Sequence, residues 1–126
     1  MVRIGAVLWI QTADDAEHLF AVISDPQRCP SPVVLVPFTT HEFYKEESCV
    51  LYAGDHPRIH HGTCVDYRGA KLLDVQQIVD AITAGRARQV EPLTDEVLAK
   101  VLLGAAESRF LPGECDQILH SQGLIP

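Results

Sequence analysis

The chain is expected to adopt an α+β fold within a single domain: a small β-barrel of about five to seven short strands over residues 3–73, then C-terminal helices over residues 74–126. Two observations predict this. Short segments rich in β-branched and aromatic residues, separated by Gly, Pro and Asp, fill the first part at the spacing of small barrels. Past Leu73 the apolar residues recur at helical spacing instead. Strands and helices in separate blocks indicate α+β rather than alternating βαβ units, and 126 residues suit one domain with one core.

The elements follow in order. Residues 3–12 alternate loosely, with Ile4, Val7, Trp9 and Ile10, and read as a first strand. The acidic stretch 13–17 reads as a solvated loop. Residues 19–24 form an apolar run that stops at Asp25-Pro26, and the segment through Pro30 and Pro32 is a connection, because proline cannot sit in a central sheet pairing. Residues 33–38 are nearly continuous β-formers, as in a strand buried on both faces, with Thr39 and Thr40 at its exit. Further strands are expected at 49–52, 63–67 and 70–73. Then Val75, Ile78, Val79 and Ile82 mark a helix behind Asp74 as N-cap, with Gly85 as the stop. A second helix follows Thr94, carrying Val97, Leu98, Val101 and Leu102, and a third spans 114–122. The polar segment 84–91 between the first two reads as a hinge or an exposed basic turn.

Composition excludes several classes. No apolar run approaches the roughly 20 residues of a membrane-spanning helix, and the N-terminus lacks a secretion-signal pattern, so a soluble, cytoplasmic protein without membrane attachment is expected. The net charge of −7 works against non-specific nucleic-acid binding and confines any such contact to a local patch. Cys29, Cys49, Cys64 and Cys115 form no CxxC pair and read as free thiols. No cofactor is expected.

Several segments carry a resemblance. Gly5-Ala6-Val7-Leu8-Trp9, His18-Leu19-Phe20-Ala21-Val22-Ile23-Ser24, Val33-Val34-Leu35-Val36-Pro37-Phe38-Thr39-Thr40 and Gly62-Thr63-Cys64-Val65-Asp66-Tyr67 occur in the order of the MazF/PemK toxins. Over roughly residues 3–82 the chain resembles that family of ribosome-independent RNA endonucleases from toxin-antitoxin pairs. The resemblance implies an SH3-like barrel, single-stranded RNA as substrate, a homodimer and a neutralising antitoxin or regulatory protein. Where the family's second strand usually begins with an Arg that stabilises the transition state, this chain has His18.

Metal-independent RNA cleavage needs a base for the 2′-hydroxyl proton, an acid for the leaving oxygen, and cations or N–H donors around the phosphorus. Histidine suits both proton roles. The candidate catalytic residues are therefore His18, Thr40, His56 and His60. Thr39, Arg58, His61, Tyr67 and Arg68 are candidates for substrate binding, with Arg58 and Arg68 on phosphate and Tyr67 stacked on an unpaired base. Each has a plainer alternative. The threonines are ordinary β-formers, residues 56–61 also fit a polar surface hairpin, Tyr67 fits a half-buried site, and the arginines fit solvated charges. His56, His60, His61 and Cys64 are also zinc-ligand types, but Pro57 disfavours a helix that would align His56 with His60, and His60 and His61 on a strand would face opposite ways. A catalytically inactive barrel that serves as a protein-binding or regulatory module remains the alternative from a different class.

Overall fold

The structure is a computed structural model that describes residues 2–13, 16–28 and 32–126. Asp14 and Asp15 of the expected acidic loop, and Cys29 and Pro30 of the expected connection, lie outside the described residues. Among the described residues seven strands and three α-helices follow in chain order: β1 (Val7–Gln11), β2 (Glu17–Val22), β3 (Val33–Thr40), β4 (Val50–Leu51), β5 (Thr63–Val65), β6 (Lys71–Leu73), α1 (Val75–Thr83), β7 (Ala87–Val90), α2 (Asp95–Glu107) and α3 (Gly113–Ser121). The fold is α+β. Every pairing is antiparallel, in the order β4-β5-β3-β2-β1-β7, with β6 also on β3.

Strand β3 organises the sheet because it is long enough to serve two partners on one side. Its first half pairs with β6 (Val33↔Leu73, Leu35↔Lys71) and its last residues pair with β5 (Phe38↔Val65, Thr40↔Thr63). β2 runs along its other side, with Phe20 opposite Pro37 and Val22 opposite Leu35.

Alternation along β2 and β3 divides the core into two layers, since successive strand residues point to opposite faces. Leu19, Ala21, Ile23, Val34, Val36 and Phe38 join Val97 and Val101 of α2 and Ile118 and Leu119 of α3 on one face. Phe20, Val22, Val33 and Leu35 join Ile78 of α1 on the other. The uninterrupted apolar run of β3 is thus a strand covered on both sides, as its sequence indicated. Each such fully buried Val, Leu, Ile or Phe stabilises by about 1.5–3 kcal/mol before entropy is counted.

The helix caps match their sequence signals. The Asp74 backbone N–H donates to Gln77 Oε1 at 2.8 Å at the head of α1, and Gly85 beyond its end takes a φ of +78°, a left-handed conformation that favours glycine. Thr94 Oγ1 accepts from the Val97 N–H at 3.2 Å, with Asp95 and Glu96 in the first turn of α2.

Two expectations are corrected. The sheet is not closed into a barrel: β4 and β7 are its edges, and no pairing joins them among the described residues. The segment 84–91 is not a hinge. Residues 87–90 form β7, which adds to β1 with Val7 opposite Val90 and Ile10 opposite Ala87. Strand β1 needed a backbone partner on its outer side, and the chain returns from α1 to supply one. Exposed Arg88 and Gln89 suit this edge position.

Candidate functional site

The polar candidates gather at the end of the sheet where β2 begins, β3 ends and β5 begins. Extended by two residues, the β2–β3 register sets His18 opposite Thr39. Alternation then puts His18 and Thr39 on the α1 side and Thr40 on the α2–α3 side. At the rim both sides are reachable, and Thr39 stands where three concavities meet.

The first concavity, of about 150 Å³, is lined by His18, Thr39, Thr40, Arg58 and His61, with Trp9, Glu17 and Thr63 around them. Thr40 Oγ1 lies 3.1 Å from His61 Nε2, a hydrogen-bonded hydroxyl–imidazole pair. Behind it, Thr63 Oγ1 donates to the His61 carbonyl at 2.9 Å, fixing the backbone that carries the ring. Lys45 Nζ donates to Thr39 Oγ1 at 2.9 Å and to the Thr40 carbonyl at 3.0 Å, so a cation holds the neighbouring hydroxyl. The indole Nε1–H of Trp9 is buried, with no hydrogen-bond partner among the described residues. An unpaired buried donor is costly, so an acceptor that reached it would be held favourably. A second concavity, of about 480 Å³, shares His18 and Thr39 and adds Lys71 and Asp66.

Arg58 reaches the site through a folded loop. His56 is buried, its Nδ1 accepts from the Arg58 N–H at 3.0 Å, and its Nε2–H donates to the Glu91 carbonyl at 2.5 Å. Both ring nitrogens are therefore committed to holding residues 56–58 against the exit of β7. The Arg58 guanidinium pairs with the Glu91 carboxylate at 3.3 Å. That carboxyl is held below its usual range, first by a backbone hydrogen bond and then by the Arg58 charge.

The structure therefore brings together His18, Thr39, Thr40, Arg58 and His61, and leaves the other four outside. His56 is a structural pin rather than a proton donor or acceptor for substrate. His60 is exposed but lines none of these concavities. Tyr67 cannot stack on a base: it is wholly buried, and its hydroxyl donates to the Val101 carbonyl at 2.6 Å inside α2. Burial, chiefly, pushes its phenol far above the ordinary range. Arg68 lies on a different groove, its guanidinium 4.3 Å from the Phe110 ring centre. Among the described residues no three His, Cys, Asp or Glu side chains are grouped to hold a metal ion. Burial pushes the thiols of Cys49, Cys64 and Cys115 up, which suits packed, unreactive cysteines.

Lys45, Trp9 and Tyr44 were not singled out from the sequence. A signal existed for Tyr44, since Phe43-Tyr44 is an aromatic pair inside an otherwise polar stretch. None existed for Lys45, whose bond to Thr39 arises only when the loop after β3 folds back.

Fold and site together define an α+β protein with an imidazole, hydroxyl and guanidinium cluster on the rim of an open antiparallel sheet. Comparison with protein-family models, curated proteins and solved structures gave no match. Among the described residues no helix is long and apolar enough to cross a membrane.

Proposed function

We propose that the chain is a divergent MazF/PemK-like endoribonuclease that cleaves single-stranded RNA by metal-independent acid–base catalysis at this rim. The supporting observation is the meeting of His18, Thr39, Thr40, Arg58 and His61 in one concavity. Two imidazoles supply the base and the acid, and Arg58 with the Trp9 N–H supplies charge and donors for the phosphate. One imidazole takes the 2′-hydroxyl proton, O2′ attacks phosphorus, and the 5′ oxygen leaves with a proton from the other imidazole. The products are a 2′,3′-cyclic phosphate and a 5′-hydroxyl end. Arg58 takes the role of the guanidinium that the family places where this chain has His18. In this reading the open sheet is a divergent form of the SH3-like barrel, the active unit is a homodimer, and an antitoxin-type protein restrains it.

The test is induction of the chain in bacteria beside a His18→Ala/Thr40→Ala double variant, with total RNA mapped for new ends. Growth arrest and new 5′-hydroxyl ends with the wild type alone support the nuclease; unimpaired growth and intact RNA refute it. The second reading, a catalytically inactive protein-binding or regulatory module, draws on the exposure of Phe43 (94%) and Tyr44 (67%) in the loop after β3.

A further inference from the structure

Next to the proposed cleavage site, and sharing Thr39 with it, lies a groove of about 380 Å³ whose walls include Tyr44, Glu46, Asp66, Arg68 and Phe110. Its volume is in the range of small-molecule sites. The groove combines features that an unpaired nucleobase requires. Two aromatic rings stand exposed, Tyr44 at 67% and Phe110 at 44%. The Arg68 guanidinium lies over the Phe110 ring, 4.3 Å from its centre, and Lys45 Nζ is 5.9 Å from the centre of the Tyr44 ring. Such rings and the planar guanidinium are the surfaces on which unpaired bases stack.

The charge balance indicates a base rather than a second phosphate. Lys45 and Arg68 are offset by Glu46 and Asp66, and carboxylates accept hydrogen bonds but repel phosphate. Glu46 is held rigidly on one side only. Its Oε2 accepts from Ser48 at 2.7 Å and from Ser108 at 2.5 Å, while Oε1 is buried with no partner among the described residues. The Asp66 carboxylate likewise has no hydrogen bond or ion pair among the described residues, although its backbone N–H donates to the Pro37 carbonyl at 2.9 Å. Acceptors left open beside stacking surfaces call for a ligand edge bearing N–H donors.

We infer that this groove is a base-recognition subsite that holds an unpaired guanine of the RNA strand, stacked between Tyr44 and the Phe110–Arg68 pair, with its N–H edge toward Glu46 and Asp66. Guanine is preferred because its N1–H and N2–H₂ are adjacent donors. Shared Thr39 places this base next to the scissile linkage, so the groove sets cleavage context. The inference rests on the RNA-cleaving reading for its strand, but its binding step is separable from cleavage.

The test uses 2′-O-methyl heptamers, which lack the attacking hydroxyl, carrying one G, A or C in a uridine background, beside all-U. Binding is followed by fluorescence anisotropy for wild type, Phe110→Ala and Glu46→Gln. The G heptamer is expected to bind at least tenfold tighter than the all-U heptamer. Phe110→Ala should weaken it about tenfold, as loss of one stacking surface does. Glu46→Gln, which keeps an oxygen for the serines, should erase the preference for G. Equal binding of all four heptamers, or unchanged binding by both variants, overturns the inference, as does a groove that takes only a protein partner and no heptamer. Selective binding of the G heptamer without cleavage of unmodified RNA retains the subsite and removes the nuclease; cleavage without base preference does the reverse.

Discussion

Gly104 in the last turn of α2 offers a prediction whose sign depends on packing. In an exposed helix, replacing glycine by alanine stabilises by about 1 kcal/mol, because glycine has more backbone freedom to lose. Here a Cβ would meet the Tyr67 hydroxyl and come within 2.7 Å of Cys49 Cβ and 2.8 Å of the Ser48 carbonyl oxygen. Two of those three atoms cannot swing aside as the tip of a flexible side chain can. Overpacking of a filled core costs about 1–3 kcal/mol, and displacing the Tyr67 hydroxyl from the Val101 carbonyl adds about 1 kcal/mol. Set against the propensity gain, Gly104→Ala should lose about 2 kcal/mol. With a urea slope of about 1.5–2 kcal/mol per molar, the midpoint should fall by about 1 M. Gly113, at the start of α3, has nothing within 4 Å of its would-be Cβ and is the control. Gly113→Ala should leave the midpoint unchanged or raise it slightly. Equilibrium urea unfolding followed by far-UV circular dichroism measures both. A Gly104→Ala midpoint equal to or above wild type would refute the close approach of α2 to Ser48 and Cys49.

Three further outcomes follow from the packing and the site. Tyr67→Phe removes one buried hydrogen bond and should cost about 1 kcal/mol in urea unfolding, while RNA cleavage by the folded variant stays at the wild-type rate; a cleavage defect would return Tyr67 to the site. His56→Ala frees the loop that carries Arg58 and should cost about 1–3 kcal/mol, from two lost bonds to backbone groups, the Arg58 N–H and the Glu91 carbonyl, measured in the same way. The third outcome concerns alkaline pH. The folded chain holds the protons of Cys49, Cys64 and Cys115 above their ordinary value of 9.0, and that of Tyr67 above 10.0. As pH rises past those values the unfolded chain releases protons that the folded chain retains. The stabilisation is thus fully present well below pH 9 and is lost as pH climbs through that value and beyond. Scanning calorimetry should show Tm falling between pH 8.5 and about 10.5, with a shallower fall in Tyr67→Phe.

The sequence read best where local chemistry decides the structure. Asp74 with Gln77 and Thr94 with its acidic first turn marked two helix starts that the structure reproduces. The nearly continuous β-formers at 33–38 correctly indicated a strand covered on both faces. What failed depends on distant partners. β7 has only Ala87 buried and offers no alternation to read; it is a strand because β1 lacked a neighbour on that side. Strand number and spacing could not report closure, which is decided by whether β4 and β7 meet. Within the site, Thr39, Thr40 and His18 were legible as polar residues at strand ends. His56 and Tyr67 were not legible as structural, because their commitment lies in contacts 35 and 34 residues away, to the carbonyls of Glu91 and Val101.

The most direct measurement is cleavage of a short single-stranded RNA by the purified chain in EDTA, with the product ends identified by mass spectrometry. Cleavage that leaves a 2′,3′-cyclic phosphate and a 5′-hydroxyl is predicted. One 2′-deoxy substitution at the cleaved linkage should abolish it, and His61→Ala and Arg58→Ala should each slow it at least a hundredfold. Intact RNA under these conditions, or wild-type rates in both variants, would contradict the assignment of this rim as the catalytic site.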